Sequence, residues 1–115
     1  MKPERFHAEV RKLRELTDSY DDLSPAHPVS VRLEKEHSRF GDDTYATTRF
    51  DGDQYVIQVW EGYLHHGIAH VKEMLVHEWA HCLAWDHEAT SSDDEHHSDS
   101  WGTAYAKLYR AFIER

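Results

Sequence analysis

Cysteine, proline and positive charge are scarce in this 115-residue chain, and each shortage narrows what it can be. With Cys82 the only cysteine, no internal disulfide exists, and a reducing, cytoplasmic compartment is expected. Thirteen lysines and arginines stand against 22 aspartates and glutamates, a net charge of −9 with histidine neutral. Such a surface repels phosphate backbones and anionic lipid headgroups, so neither nucleic acid nor a membrane is expected as a partner. No apolar run approaches the ~20 residues of a membrane span. The first turns are rich in Glu and Arg and carry no apolar stretch of the secretory-leader kind.

What is present describes a folded globule. Hydrophobic residues make up 39%, with 4 Trp, 6 Tyr and 4 Phe among the aromatics, enough for a packed core. A chain of this length forms one domain, 1–115, and buries roughly 65% of its unfolded surface. Only three prolines interrupt it, all before residue 30, so they mark the first helix and the loop after it.

Pro3 suits the first turn of a helix, and Phe6, Val10, Leu13 and Leu16 or Thr17 follow at helical spacing, which predicts a helix from about Pro3 to Ser19. Asp21 to Pro28 reads as a loop. Val29, Val31 and Leu33 alternate with polar residues, as in a half-buried strand. Thr44 to Phe50 reads as a second strand, Asp51-Gly52 as a hairpin turn, and Gln54 to Trp60 as a third strand paired to the second. A helix is predicted from about Gly67 to Trp85. A polar, acidic loop follows, and Ser98 or Ser100 can cap a last helix whose apolar face is Trp101, Ala104, Tyr105, Leu108, Ala111 and Phe112. The expected class is α+β: N-terminal helix, small antiparallel three-stranded sheet, motif helix and C-terminal helix.

The motif is His77-Glu78-Trp79-Ala80-His81, H-E-x-x-H. Two histidines four apart share one helix face and can bind one metal ion, and the intervening glutamate leans toward the same site. With 11 histidines in the chain, such a pentapeptide arises by chance with odds of roughly 0.1, so its context has to carry the argument. That context is helical: Ile68, Val71, Leu75 and Cys82 recur at near-helical spacing, and no Pro or Gly interrupts Ile68 to Trp85. Cys82 follows a ligand by one residue, which points it away from the metal face and makes it a small buried hydrophobe.

A catalytic zinc site takes three protein ligands and keeps one position open. Candidates for the third are His87, Glu88, Asp93, Asp94, Glu95, His96, His97 and Asp99. His87 and Glu88 follow His81 too closely unless the chain reverses sharply. His96, His97 and Asp99 stand where the chain enters the last helix and can return to the site.

The run His77 to Trp85, followed by His97-Ser98-Asp99-Ser100-Trp101, resembles the catalytic core of SprT-like (spartan-like) zinc metallopeptidases. In that family H-E-x-x-H is followed by a loop and then a histidine four residues before an aromatic that opens a helix. The resemblance covers roughly the last 45 residues and selects His97 over His96. It implies a zincin-like fold, bound Zn²⁺ held by His77, His81 and His97, and peptide hydrolysis with Glu78 as general base. The compact size also resembles minimal zincins of the minigluzincin type, whose third ligand is a glutamate. Ser98 stands where the SprT-like family usually has Gly, and no Cys-rich zinc ribbon is expected after the last helix, so a DNA-dependent activity is not carried over.

The expected partner is a peptide or protein substrate, with a monomer as the default oligomeric state. Gln54 to Trp60 is the expected edge strand for pairing with substrate. Tyr105 and Tyr109 are candidate oxyanion donors, with core packing the simpler role. Glu73, Asp86 and Asp99 are candidate acceptors for the second N–H of the ligand histidines. His65, His66 and His70 are expected to be solvent-exposed. Two alternatives remain: a non-catalytic zinc-binding module, and a zinc hydrolase acting on non-peptide substrates.

Overall fold

A computed structural model describes residues 1–37, 44–85 and 99–114. The first helix, α1, spans Pro3–Asp18, with Pro3 at its start, where a missing N–H costs nothing. Phe6, Val10, Leu13 and Leu16 form its inner stripe and sit in the main core. Each such side chain contributes roughly 1.5–3 kcal/mol by leaving water. Arg14 ties the helix to the sheet: its Nη2 donates to the Val29 carbonyl at 2.8 Å, and its guanidinium lies 6.0 Å from the centre of the Trp79 ring.

Three strands follow: β1 (Val29–Glu34), β2 (Ala46–Phe50) and β3 (Tyr55–Trp60). Their order is β1-β3-β2. β2 and β3 are antiparallel, with Phe50 opposite Tyr55, whereas β1 runs parallel to β3, with Val29 opposite Tyr55. The sheet is therefore mixed, not antiparallel throughout. The segment between β1 and β2, residues 35–45, is too long for a tight hairpin, which lets β2 skip the neighbouring place and leaves it for β3. Position in the sheet also explains why β3 is so apolar: Tyr55, Val56, Ile57 and Val59 are all buried, as a central strand covered on both faces requires.

The turn between β2 and β3 is centred one residue later than Asp51-Gly52. The Asp51 N–H donates to the Gln54 carbonyl at 3.0 Å, Gly52 takes φ 102°, and the Asp51 carboxylate accepts the N–H groups of Gln54 at 2.9 Å and Asp53 at 3.1 Å. Those two backbone donors hold the Asp51 carboxyl below its usual range.

After β3 a 3₁₀ segment (Glu61–His66) leads to Gly67 and then α2, Ile68–Leu83. Val71, Met74, Leu75, Trp79, Ala80 and Cys82 bury its inner face. Cys82 is a buried core thiol, as expected. Trp79 is also core, while Trp60 and Trp85 are half-buried. The last helix, α3 (Asp99–Phe112), packs along α2 and sends Leu108 and Phe112 into the same core. The predicted α+β architecture is observed, with helices packed on the sheet. None of the described helices is long and apolar enough to cross a membrane.

Candidate metal centre

The polar face of α2 carries the site. Buried apolar residues on the opposite face fix the rotation of the helix, so His77 and His81, four apart, are turned outward together. Their ring centres lie 5.1 Å apart. The ligand atoms of His77, Glu78 and His81 all fall within 4.8 Å of one another, and no other group of three His, Cys, Asp or Glu side chains among the described residues meets that condition. Two imidazoles and a carboxylate are donors suited to zinc and to other divalent transition metals.

Glu78 differs from the histidines in burial. Only 6% of it is exposed, while both histidines are half-exposed. A carboxylate taken this far out of water needs polar partners. Thr48 of β2 supplies one: its hydroxyl donates to Glu78 Oε1 at 2.9 Å and approaches the Glu78 carbonyl at 3.4 Å. The other oxygen, Oε2, lies 3.5 Å from His77 Nε2. The carboxylate is thus held at one oxygen and directed at the histidine pair with the other.

The start of α3 closes one side. The Trp101 indole N–H donates to the His77 carbonyl at 3.1 Å. Its ring lies 5.0 Å from His77 and 5.7 Å from His81. Tyr105 stacks on Trp101 at 5.0 Å and Tyr109 follows at 5.8 Å. Tyr105 is therefore one ring removed from the histidines, and Tyr109 two. Burial raises the Tyr105 phenol above its ordinary pKa, and the nearby Glu73 charge adds to this.

His77, Glu78 and His81 come together as the motif implies. His97 lies outside the described residues, as do His96, Asp86, His87, Glu88, Asp93, Asp94 and Glu95; for Asp99 only the backbone is described. His65, His66 and His70 are exposed, as expected. The expectation for Gln54 to Trp60 is corrected: β3 is the central strand, and the strand that reaches the site is β2, at the sheet edge. Thr48 and Trp101 were not foreseen as site residues. Alternation in the second strand places Thr48 on one face of the sheet, but only the strand order reveals that this face meets Glu78.

No family model, curated protein or solved structure matches the chain.

Proposed function

We propose that the chain is a zinc-dependent peptidase in which Glu78 is the general base. The observation that carries this reading is the buried carboxylate of Glu78, held by Thr48 and set beside two outward-facing imidazoles. A purely structural metal site needs ligands and closes with four of them; it has no use for a carboxylate oriented in this way.

His77 and His81 are the proposed zinc ligands, with His97, four positions before Trp101, as the third. Zinc bound there supplies Lewis acidity toward the scissile carbonyl and makes water a stronger acid. Glu78 takes the proton of the attacking water and returns it to the leaving amine. Thr48 keeps the carboxylate from rotating, which preserves its aim through both transfers. Trp101 shields one side of the histidine pair from solvent. The substrate backbone pairs with the edge of β2 that faces away from β3, an edge unpaired among the described residues, and an extended peptide then lies alongside Glu78. The charge balance supports a peptide or protein partner over nucleic acid, and the lone buried Cys82 fits a cytoplasmic setting.

The test is Glu78→Gln. This variant is expected to bind zinc with unchanged stoichiometry and to lose peptide cleavage by at least about a hundredfold, the scale of a lost general base. Cleavage at the wild-type rate would remove Glu78 from the mechanism and favour a non-catalytic zinc module.

A further inference from the structure

The outward face of α2 carries His70, Glu73, His77 and His81 in line, three or four residues apart. Neighbours at that spacing stand about 5–6 Å apart at Cβ. Aromatic rings bank this ridge at both ends. Toward the helix start, Tyr45 lies 5.5 Å from Tyr63, Tyr63 lies 4.8 Å from His66, and His66 lies 5.9 Å from His70. Toward the metal centre, Trp101 lies 5.0 Å from His77 and Tyr105 stacks 5.0 Å from Trp101.

Glu73 falls between these two chains of rings, one helical turn before His77. It is exposed, and among the described residues no hydrogen bond or ion pair reaches its carboxylate. Trp101 lies against His77 and the Lys72 ammonium against the Phe112 ring, so α3 runs back along α2 and brings Tyr105 level with Glu73, while Tyr63 reaches the turn before Glu73 through His66 and His70. Tyr63 and Tyr105 both resist ionisation, first through burial and then through Glu73. A carboxylate beside two electron-rich rings attracts an organic cation through charge, hydrogen bonding and cation–π attraction together. The overall charge of −9 draws cations toward the molecule as well.

We propose that Glu73, flanked by Tyr63 and Tyr105, is a subsite for a positively charged group on the peptide substrate, one helical turn from the metal centre. This assignment rests on the peptidase reading for the identity of the ligand. The separation corresponds to about two residues of extended peptide at ~3.3 Å each, so the charged residue lies close to the scissile bond. A lysine or arginine side chain and a free amino terminus share the required chemistry.

Binding without turnover tests it. Zinc-loaded Glu78→Gln protein is titrated by fluorescence anisotropy with labelled peptides. One set has a blocked amino terminus and carries either lysine or norleucine at a scanned position; an unblocked norleucine peptide completes it. The lysine peptide is expected to bind about tenfold more tightly than its blocked norleucine counterpart, and adding Glu73→Gln is expected to abolish the difference. If the unblocked norleucine peptide gains the Glu73-dependent advantage instead, the cation is the amino terminus and the subsite stands. A lysine preference that survives Glu73→Gln overturns the proposal, as do equal affinities for all three peptides or no binding of any. If the wild-type protein cleaves nothing while a Glu73-dependent preference persists, the peptidase reading fails and the subsite remains. Cleavage with no charge preference in binding sinks the subsite alone.

Discussion

Thr48 donates its hydroxyl to Oε1 of Glu78 across 2.9 Å, joining the edge strand β2 to the helix that carries the motif. The bond satisfies a buried carboxylate and fixes which of its oxygens faces the histidine pair. Removing it costs aim as well as energy.

Thr48→Val keeps the shape of the side chain and removes the donor. A hydrogen bond to a charged acceptor contributes about 1.5–3 kcal/mol, so kcat is expected to fall by roughly tenfold or more. KM is expected to stay within about a factor of two, since Thr48 acts through Glu78. Thr48→Ser, which restores a hydroxyl, should recover most of the rate. Steady-state kinetics on the three proteins decide the matter: equal kcat for Val and wild type means that Thr48 does not position the carboxylate.

The relation between Thr48 and Glu78 also marks where the sequence stopped being informative. Periodicity located α1 and α2 to within about two residues at each end and picked out the apolar face of α3, because each has one apolar face and helical spacing makes that face visible in a single window. H-E-x-x-H brought His77, Glu78 and His81 together because all three lie on one helix, where spacing alone sets geometry. Strand order is different. Nothing local to Val29–Glu34 says that β3 will pair with it in place of β2, so the mixed sheet was missed, and with it the identity of the edge strand. Thr48 and Trp101 were missed for the same reason: each meets the site across more than twenty residues of sequence. The continuous apolar run Tyr55-Val56-Ile57 did contain the clue, since a strand with one wet face would alternate.

Gly67 is the hinge at which the chain enters α2. It adopts φ 88°, with its N–H on the Leu64 carbonyl at 3.2 Å and its carbonyl accepting from Val71 at 3.1 Å. A Cβ placed there would meet nothing within 4 Å, so a substitution acts through backbone strain alone. With ψ 173° as well, Gly67 sits in a region that essentially only glycine adopts, so Gly67→Ala is expected to lower stability by about 1–3 kcal/mol. Urea unfolding should show a lower midpoint with an unchanged slope. An unshifted midpoint would mean that the helix entry relaxes freely.

The tyrosines beside Glu73 give a pH signature. Burial, and then the Glu73 charge, raise the pKa of Tyr63 and Tyr105 above the ordinary 10.0. A raised folded-state value means that the native protein keeps protons which the unfolded chain releases near pH 10. Stability from this source is therefore complete below about pH 10 and is lost as pH climbs through the folded values. Glu73→Gln removes the second cause and leaves the first, so ultraviolet titration should show part of the tyrosine absorbance moving to lower pH. The alkaline fall in stability should become shallower in the same variant. Identical titration curves would place the Glu73 carboxylate away from both phenols.

The proposed third zinc ligand is the remaining test of the site. Trp101 touches both motif histidines through its ring and holds the His77 carbonyl through its indole N–H, so the start of α3 is anchored beside the candidate metal centre. His97 stands four positions before Trp101 in the chain, and His96 stands beside it. If His97 is a ligand, His97→Ala leaves two imidazoles and is expected to weaken zinc binding by well over a hundredfold in a competition titration against a chelator. His96→Ala is expected to change it by less than about threefold, as for a side chain outside the coordination sphere. Because imidazole must lose its proton to bind, acid should release the metal from wild type, and from His97→Ala at a less acidic pH. Tight, stoichiometric zinc in His97→Ala would move the third ligand to a carboxylate, the arrangement of the minigluzincins.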